Sequence, residues 1–188
     1  ETIAGKTMMI LGAGAIGERV AKLAQAHDIH VLGIRRQPER ICEFVDEMFG
    51  REQLDELLPR ADYLVSLLPS TPDSFQILGP AQFELMKRGV FIVNLGRGMH
   101  IDESALVSAL KNGTVKGAGL DVFEIEPLPS DSPLWEMKNV IISPHCAGDQ
   151  PDYCFEARRL FIENLKQFLA GDAMINVIDK SLGHSLTH

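Results

Sequence analysis

The stretch Met8-Met9-Ile10-Leu11-Gly12-Ala13-Gly14-Ala15-Ile16-Gly17 places an apolar run directly before a glycine-rich turn and a helical pattern. In a strand-turn-helix unit, the first glycine permits the tight turn, the second lets a phosphate approach the backbone, and the third allows close helix-strand packing. Free N–H groups at the start of the helix then face the phosphates. The stretch predicts a dinucleotide site formed by Gly12, Gly14, Ala15, Ile16 and Gly17, although an isolated glycine pattern can also be an ordinary turn.

A second apolar strand, His30-Val31-Leu32-Gly33-Ile34, ends at the pair Arg35-Arg36. Sites selective for NAD carry Asp or Glu at this point, roughly 20 residues beyond the glycines, to bind the ribose 2′-hydroxyl. Guanidinium groups instead bind a 2′-phosphate through charge-assisted hydrogen bonds. Arg35 and Arg36 therefore favour NADP(H) as the cofactor, with NAD(H) as the second option. In the alternative interpretation, the two arginines are solvated side chains at the start of a surface loop and bind no cofactor.

Composition and charge are typical of a globular enzyme domain, with 188 residues, 45% hydrophobic, 23% charged and a net charge of -8. No basic stripe indicates nucleic acid, and no apolar run approaches membrane-spanning length. Cys42, Cys146 and Cys154 are odd in number and lack a CxxC spacing, so we expect neither a disulfide framework nor a metal site. Because the chain also lacks a secretory signal pattern, we expect a cytoplasmic protein.

Short apolar strands alternate with helical segments along the rest of the chain, as is typical of βαβ units and a parallel sheet. We predict strands at 7–11, 30–34, 45–48, 62–67, 90–94, 116–121 and 140–142, and helices at 15–26, 52–58, 80–88, 103–111 and 153–169. Asp102 suits a helix N-cap, and Gly113 suits a helix end. The predicted fold is α/β, a doubly wound and mostly parallel Rossmann sheet over residues 1–170, followed by a tail at 171–188.

Three residues that are well separated in sequence are candidates for chemistry: Arg97, Glu126 and His145. A guanidinium can bind a carboxylate and polarise a carbonyl, and an imidazole can transfer a proton. A carboxylate can orient that imidazole and favour its charged form. Ligands of open α/β sheets collect where strands end, so residues after successive strands can meet there. The set therefore predicts the reduction of a 2-keto acid.

Each candidate also has a structural alternative. Arg97 could be a surface cation that follows a strand, His145 a structural histidine, and Glu126 a solvated loop residue. Glu124 is close enough in sequence to be mistaken for Glu126. His100 shows no ligand spacing, and we assign it no role.

Five stretches resemble the D-isomer-specific 2-hydroxyacid dehydrogenases, in the same order along the chain. They are 12–17, 67–72, 86–98, 119–129 and 143–145. Arg35-Arg36 and the surroundings of His145 are most similar to the glyoxylate/hydroxypyruvate reductase branch. The resemblance implies an NADP-preferring oxidoreductase that reduces a small 2-keto acid such as glyoxylate or hydroxypyruvate by hydride transfer from NADPH.

The resemblance also implies a role for each matching position. Arg97 would orient the substrate, His145 would donate the proton, and Glu126 would pair with His145. The implied cofactor contacts are Leu68, Pro69 and Thr71 on the adenosine side, Leu95, Gly96, Arg97 and His145 around the reacting centre, Asp121 near the nicotinamide amide, and Ala147 and Gly148 alongside the nicotinamide.

Full-length members of this family carry a second, smaller substrate domain, and the resemblance implies that this domain is missing here. A closing domain positions the substrate and excludes water, so we expect these residues alone to bind NADP(H) but to turn over poorly. A homodimer through the cofactor domain is implied as well. Two alternatives stay open: a catalytically weak, nucleotide-sensing and dimerising protein of corepressor type, and a non-dehydrogenase Rossmann domain such as a methyltransferase.

Overall fold

A computed structural model describes residues 2–40, 42–180 and 184–185. In this part of the chain, seven strands pair in parallel to form one sheet, in the order β3-β2-β1-β4-β5-β6-β7. The strands are β1 (Thr7–Leu11), β2 (His30–Ile34), β3 (Glu47–Phe49), β4 (Tyr63–Ser66), β5 (Val90–Asn94), β6 (Val115–Leu120) and β7 (Val140–Ile142). The helices are α1 (Ala15–Gln25), α2 (Leu54–Leu57), α3 (Pro80–Leu85), α4 (Glu103–Asn112) and α5 (Tyr153–Ala170).

β1 lies in the interior of the sheet, between β2 and β4, and carries apolar side chains on both faces. Met9, Ile10 and Leu11 have no exposed surface. Successive side chains of a strand point to opposite faces, so Ile10 packs with residues of α1, whereas Met9 and Leu11 pack with those of α2, α3 and α4. Helices therefore cover both faces, and the predicted doubly wound parallel sheet is confirmed.

The strand order reverses beside β1. The chain proceeds outward from β1 to β2 and β3, and then returns to place β4 on the other side of β1. In open α/β sheets, this reversal leaves a crevice at the carboxyl ends of the strands, where ligands bind. The segments that follow β1, β2, β4, β5, β6 and β7 all leave from this edge of the sheet.

Several predicted boundaries differ from the observed ones. The helix predicted at 52–58 is α-helical only over Leu54–Leu57, between 3₁₀ turns at Arg51–Gln53 and Leu58–Arg60, because Pro59 has no N–H to continue the ladder. The helix predicted at 80–88 ends at Leu85, where Met86 turns to extended backbone. Asp102 caps α4 by accepting the N–H of Ala105 at 2.9 Å, as predicted.

The chain forms two compact units, residues 1–145 and 146–188. The second unit contains α5 and a two-stranded antiparallel ladder, β8 (Ile178–Asp179) with β9 (His184–Ser185). The predicted domain limit at residue 170 falls at the end of α5 and remains a prediction. Within the described ranges, no helix combines the length and the apolar character needed to cross a membrane.

Candidate active site

The glycine turn, residues 12–17, connects β1 to α1 at the carboxyl edge of the sheet. Gly12 has φ 95°, a left-handed conformation that favours glycine, and a Cβ there would lie 2.9 Å from the carbonyl of Leu67. A Cβ on Gly17 would lie 2.6 Å from the Gly12 carbonyl oxygen. A Cβ on Gly14 would meet nothing within 4 Å. The first and third glycines are therefore required by packing, whereas the second leaves open space above the turn.

The N-terminus of α1 provides donors facing that space. Gly14 is the N-cap and no side chain caps the helix, so the first-turn N–H groups at Ala15, Ile16 and Gly17 have no partner within the helix. Such N–H groups, together with the positive end of the helix dipole, bind phosphate. The residues present therefore fit a dinucleotide pyrophosphate.

Arg35 directly follows β2 and lies next to the glycine turn. The backbone N–H groups of Gly12 and Ala13 both donate to the carbonyl of Ile34, at 2.9 and 3.0 Å. Arg35 is half-buried and Arg36 is exposed. The backbone of Arg35 therefore adjoins the turn, and the 2′-phosphate contact of Arg35 and Arg36 remains a prediction.

The turn that follows β4 is held by internal hydrogen bonds. The Pro69 carbonyl accepts the Ser74 hydroxyl at 2.8 Å and faces His100 Nε2 at 3.3 Å. Thr71 is buried, and its hydroxyl lies 3.3 Å from Ser74 Oγ. Leu68 is half-buried and Pro69 is exposed. The cofactor contacts predicted for Leu68, Pro69 and Thr71 remain predictions.

Arg97 belongs to the turn that follows β5, and Asn94 shapes that turn. The Asn94 side chain accepts the N–H of Gly96 at 3.2 Å and donates to the Arg97 carbonyl at 3.0 Å. The N–H of Leu95 donates to the carbonyl of Ser66, which ties the turn to β4. The Arg97 guanidinium donates to the Gly96 carbonyl at 2.7 Å, and Arg97 is exposed, so other N–H donors of the guanidinium remain for a ligand.

Glu126 and His145 are in direct contact. Glu126 Oε2 lies 2.7 Å from His145 Nδ1, and Glu126 Oε1 accepts the backbone N–H of Phe123 at 3.0 Å. The hydrogen bond from His145 lowers the pKa of Glu126, and the charge of Arg97 acts in the same direction. A carboxylate that stays ionised is an acceptor, so His145 Nδ1 carries the proton of this bond and Nε2 is left to face outward.

Glu124 is in a different environment from Glu126. Its carboxylate accepts the N–H of Glu103 at 3.2 Å, and its own N–H donates to the Glu103 carboxylate at 2.6 Å. These reciprocal bonds direct Glu124 to the start of α4. The contact with His145 is therefore made by Glu126, which distinguishes two carboxylates that the sequence alone left interchangeable.

We call Arg97, Glu126 and His145 the active-site rim. They follow β5, β6 and β7 at the same edge of the sheet, and Arg97 is close enough to Glu126 to influence its pKa. Gly98 brings the two loops together, since a Cβ at that position would overlap the backbone of Phe123 and Glu124. The rim is open: 49% of the His145 side chain and 35% of the Glu126 side chain are exposed.

Asp121 ends β6 and is almost completely buried, with 1% exposure. The hydroxyl of Ser143 donates to Asp121 Oδ1 at 2.6 Å, which links the ends of β6 and β7. Leu95 and Gly96 lie one strand away, after β5. Ala147 and Gly148 belong to the second compact unit, and their predicted contact with the nicotinamide remains a prediction.

Sequence reasoning missed the supporting polar residues Asn94, His100 and Ser66, which are all buried. The sequence did contain a signal for these three residues. Each is a polar side chain among apolar neighbours, and a buried polar group needs a hydrogen-bond partner. The cysteines are free thiols, and burial raises the pKa of Cys42. In the described part of the chain, no group of three His, Cys, Asp or Glu side chains is arranged to hold a metal ion.

The sequence of this chain is similar to known proteins with this fold. Residues 1–147 match the profile of the NAD binding domain of D-isomer specific 2-hydroxyacid dehydrogenases. The chain belongs to the D-isomer specific 2-hydroxyacid dehydrogenase family. Its fold is of the NAD(P)-binding Rossmann type, and glyoxylate/hydroxypyruvate reductases are among its relatives.

Three relatives illustrate the range of similarity within this family. Glyoxylate/hydroxypyruvate reductase B of Yersinia pestis is 38% identical over 177 residues, which are 93% of this chain and 53% of that protein. An NADPH-dependent glyoxylate/hydroxypyruvate reductase from Sinorhizobium meliloti, solved in complex with NADP and sulfate, has a TM-score of 0.90 at 34% identity over 98% of this chain and 58% of that one.

The third relative is a family member from Xanthobacter autotrophicus, solved in complex with NADPH and MES. It has a TM-score of 0.88 at 35% identity, over 95% of this chain and 73% of that one. The chain thus spans about half the length of the curated Yersinia relative and 73% of the shortest of the three.

Proposed function

We propose that this chain is the cofactor-binding part of an NADPH-dependent reductase of small 2-keto acids such as glyoxylate or hydroxypyruvate. The observation that carries the proposal is the Glu126–His145 pair, with 2.7 Å between Oε2 and Nδ1, on the same sheet edge as Arg97 and the glycine turn. A general acid, its orienting carboxylate and a guanidinium beside a phosphate-binding turn are the groups that keto-acid reduction requires.

In this reaction the exposed guanidinium of Arg97 holds the substrate carboxylate and polarises the keto oxygen. Glu126 accepts the Nδ1 proton of His145 and thereby keeps Nε2 directed outward. When bound, the reduced nicotinamide supplies a hydride to the keto carbon. His145 donates its Nε2 proton to the keto oxygen, which becomes the hydroxyl, and recovers a proton from solvent.

The preference for NADP(H) over NAD(H) is part of the same proposal. Arg35 and Arg36 follow β2 where a 2′-phosphate would lie, and no acidic residue occupies either position. The bound NADP and NADPH of the Sinorhizobium and Xanthobacter relatives support it. We also assign cofactor contacts to Leu68, Pro69 and Thr71, to Leu95, Gly96 and Asp121, and to Ala147 and Gly148.

Two further expectations concern the whole protein. Because the rim is open and the chain spans about half the length of the Yersinia relative, we propose that these 188 residues bind NADP(H) but turn over poorly. We also propose a homodimer formed through the cofactor domain. Exposed apolar side chains at Ile125, Trp135 and Ile141 support it, since such side chains are common at interfaces. A cytoplasmic location belongs to the proposal as well.

Fluorescence titration of these 188 residues with NADPH and NADH tests the cofactor assignment. We expect NADPH to bind more tightly, and Arg35→Asp to reverse the preference because the new carboxylate repels a 2′-phosphate. Lys111→Asp makes the same change of charge at the far end of α4, so it should leave the preference unchanged. Equal affinity for both cofactors, or tighter binding of adenosyl-methionine, would contradict the assignment.

The keto-acid assignment needs the whole natural protein. We expect oxidation of NADPH, followed by absorbance, with glyoxylate or hydroxypyruvate as the substrate. If the whole protein binds NADPH and forms dimers but reduces neither acid, a nucleotide-sensing role replaces catalysis.

A further inference from the structure

His100 is a titratable side chain that the proposed reaction does not use, and it is completely buried, with 0% exposure. It follows β5 and lies beneath the Arg97 turn. Its ring reaches two other segments: Nδ1 is 3.1 Å from the Ser66 hydroxyl at the end of β4, and Nε2 is 3.3 Å from the Pro69 carbonyl. Nδ1 also accepts the backbone N–H of Arg97 at 3.2 Å.

These partners select one protonation state of the ring. A backbone N–H can only donate, so Nδ1 carries no proton, whereas a carbonyl can only accept, so Nε2 carries one. The neutral Nε2–H tautomer therefore satisfies all the contacts. In a charged ring, the Nδ1–H would face the N–H of Arg97 and break that bond.

The surroundings also favour a neutral ring. Burial lowers the pKa of His100, and the positive charge of Arg97 lowers it further, although the Pro69 carbonyl acts in the opposite direction. From β4 and the following turn, the ring meets the neutral groups of Ser66 and Pro69. Arg97 is the one charged side chain found to act on the ring among the described residues.

Gly96 shows how closely the ring is packed. A Cβ on Gly96 would lie 2.9 Å from both Nδ1 and Cε1 of His100 and 3.0 Å from the Leu68 carbonyl oxygen. The ring, the Gly96 backbone and the Leu68 carbonyl are thus in contact, with no space for another atom. One imidazole joins two turns that are about thirty residues apart in the chain.

We propose that His100 is a positioning residue: in its neutral Nε2–H form, it locks the turn after β4 to the Arg97 turn and so fixes the substrate-binding arginine relative to the cofactor. This inference rests on the proposed function. His100 touches neither substrate nor cofactor and acts through the backbone of Arg97 and Pro69.

Nitrogen-15 NMR of the histidine rings tests the protonation state without any cofactor. His100, identified by the signal that is lost in His100→Asn, should show a protonated Nε2 and an unprotonated Nδ1 at pH 7. A charged ring, or a proton on Nδ1, would overturn the proposal. This measurement does not depend on whether the protein binds NADPH.

Three variants separate the bond to Arg97 from the bond to Pro69. His100→Leu removes both of these and the Ser66 contact. His100→Asn keeps an acceptor near Arg97, and His100→Gln keeps a donor that can reach Pro69. We expect faster hydrogen exchange at the Arg97 amide in His100→Leu and partial protection in His100→Asn. NADPH affinity should fall about tenfold in His100→Leu, since both turns lose the hydrogen bonds that hold them in place, with smaller losses in the other two variants.

Leu57→Ala is the matched control, because Leu57 is buried in α2 and its side chain can make no hydrogen bond to either turn. Its affinity for NADPH and its Arg97 amide exchange should remain as in the wild type. If His100→Leu loses no more affinity than Leu57→Ala and its Arg97 amide exchanges no faster, His100 is only a core residue. If the wild type does not bind NADPH, the proposed function fails, while amide exchange and ring NMR still decide the role of His100.

Discussion

The glycine turn and the active-site rim lie on the same edge of the sheet but are built differently. The turn is formed by backbone, and its shape is enforced by contacts of Gly12 and Gly17 with their neighbours. The rim is formed by side chains, and its Glu126–His145 pair is partly exposed to solvent. A backbone site is complete as soon as the sheet folds, whereas a proton-transfer site depends on the exclusion of water. The two regions should therefore respond differently to mutation.

The largest expected effect concerns the rim alone. In the whole natural protein, His145→Gln should lower turnover of the keto acid by about 10²–10⁴-fold, because it removes the proton donor. NADPH affinity should change far less than turnover, since the glycine turn is unchanged. Steady-state kinetics with a parallel NADPH titration measures both quantities. A loss of NADPH affinity as large as the loss of turnover would mean that the rim and the glycine turn do not act independently.

A smaller effect should distinguish the roles of Gly14 and Gly17 within the glycine turn. Gly14→Ala adds a methyl group to open space, so the free energy of unfolding should change by less than about 1 kcal/mol, while NADPH affinity falls at least about tenfold. Gly17→Ala places a methyl group 2.6 Å from the Gly12 carbonyl oxygen and should cost about 1–3 kcal/mol of stability. Urea unfolding and NADPH titration separate these outcomes. Unchanged NADPH binding by Gly14→Ala would argue against phosphate binding at this turn.

The smallest effect is the pH dependence of the rim pair. The pKa of Glu126 is lowered in the folded state from an ordinary value of 4.5, so the pair stabilises the fold above that pH. This contribution is lost as the pH falls through the folded pKa. Because the pair is exposed, we expect less than about 1 kcal/mol.

The measurement compares the unfolding free energies of the wild type and Glu126→Gln from pH 7 into the acid range. The difference should shrink as the pH falls below 4.5, with Glu84→Gln on the exposed face of α3 as the control for general charge effects. A difference that grows on acidification would show that the folded state does not favour the ionised form of Glu126.

Much of the fold could be predicted from the sequence because local signals agreed with one another. The seven strands were placed within one or two residues, since each is a short apolar run between polar or glycine-rich segments. The exact helix ends were less predictable. α2 and α3 are shorter than expected because Pro59 and the extended Met86 interrupt them, and such interruptions depend on tertiary packing as well as on propensity.

The sequence by itself determined the order of strands and helices, the glycine turn, the arginine pair after β2, and the three candidate residues placed after successive strands. Those features are local, so they can be seen without a fold. Only the tertiary structure decided that Glu126 rather than Glu124 meets His145, and that His100 joins the turns after β4 and β5. These contacts join loops that are far apart in the chain. Which residues meet depends on how the parallel strands place those loops side by side.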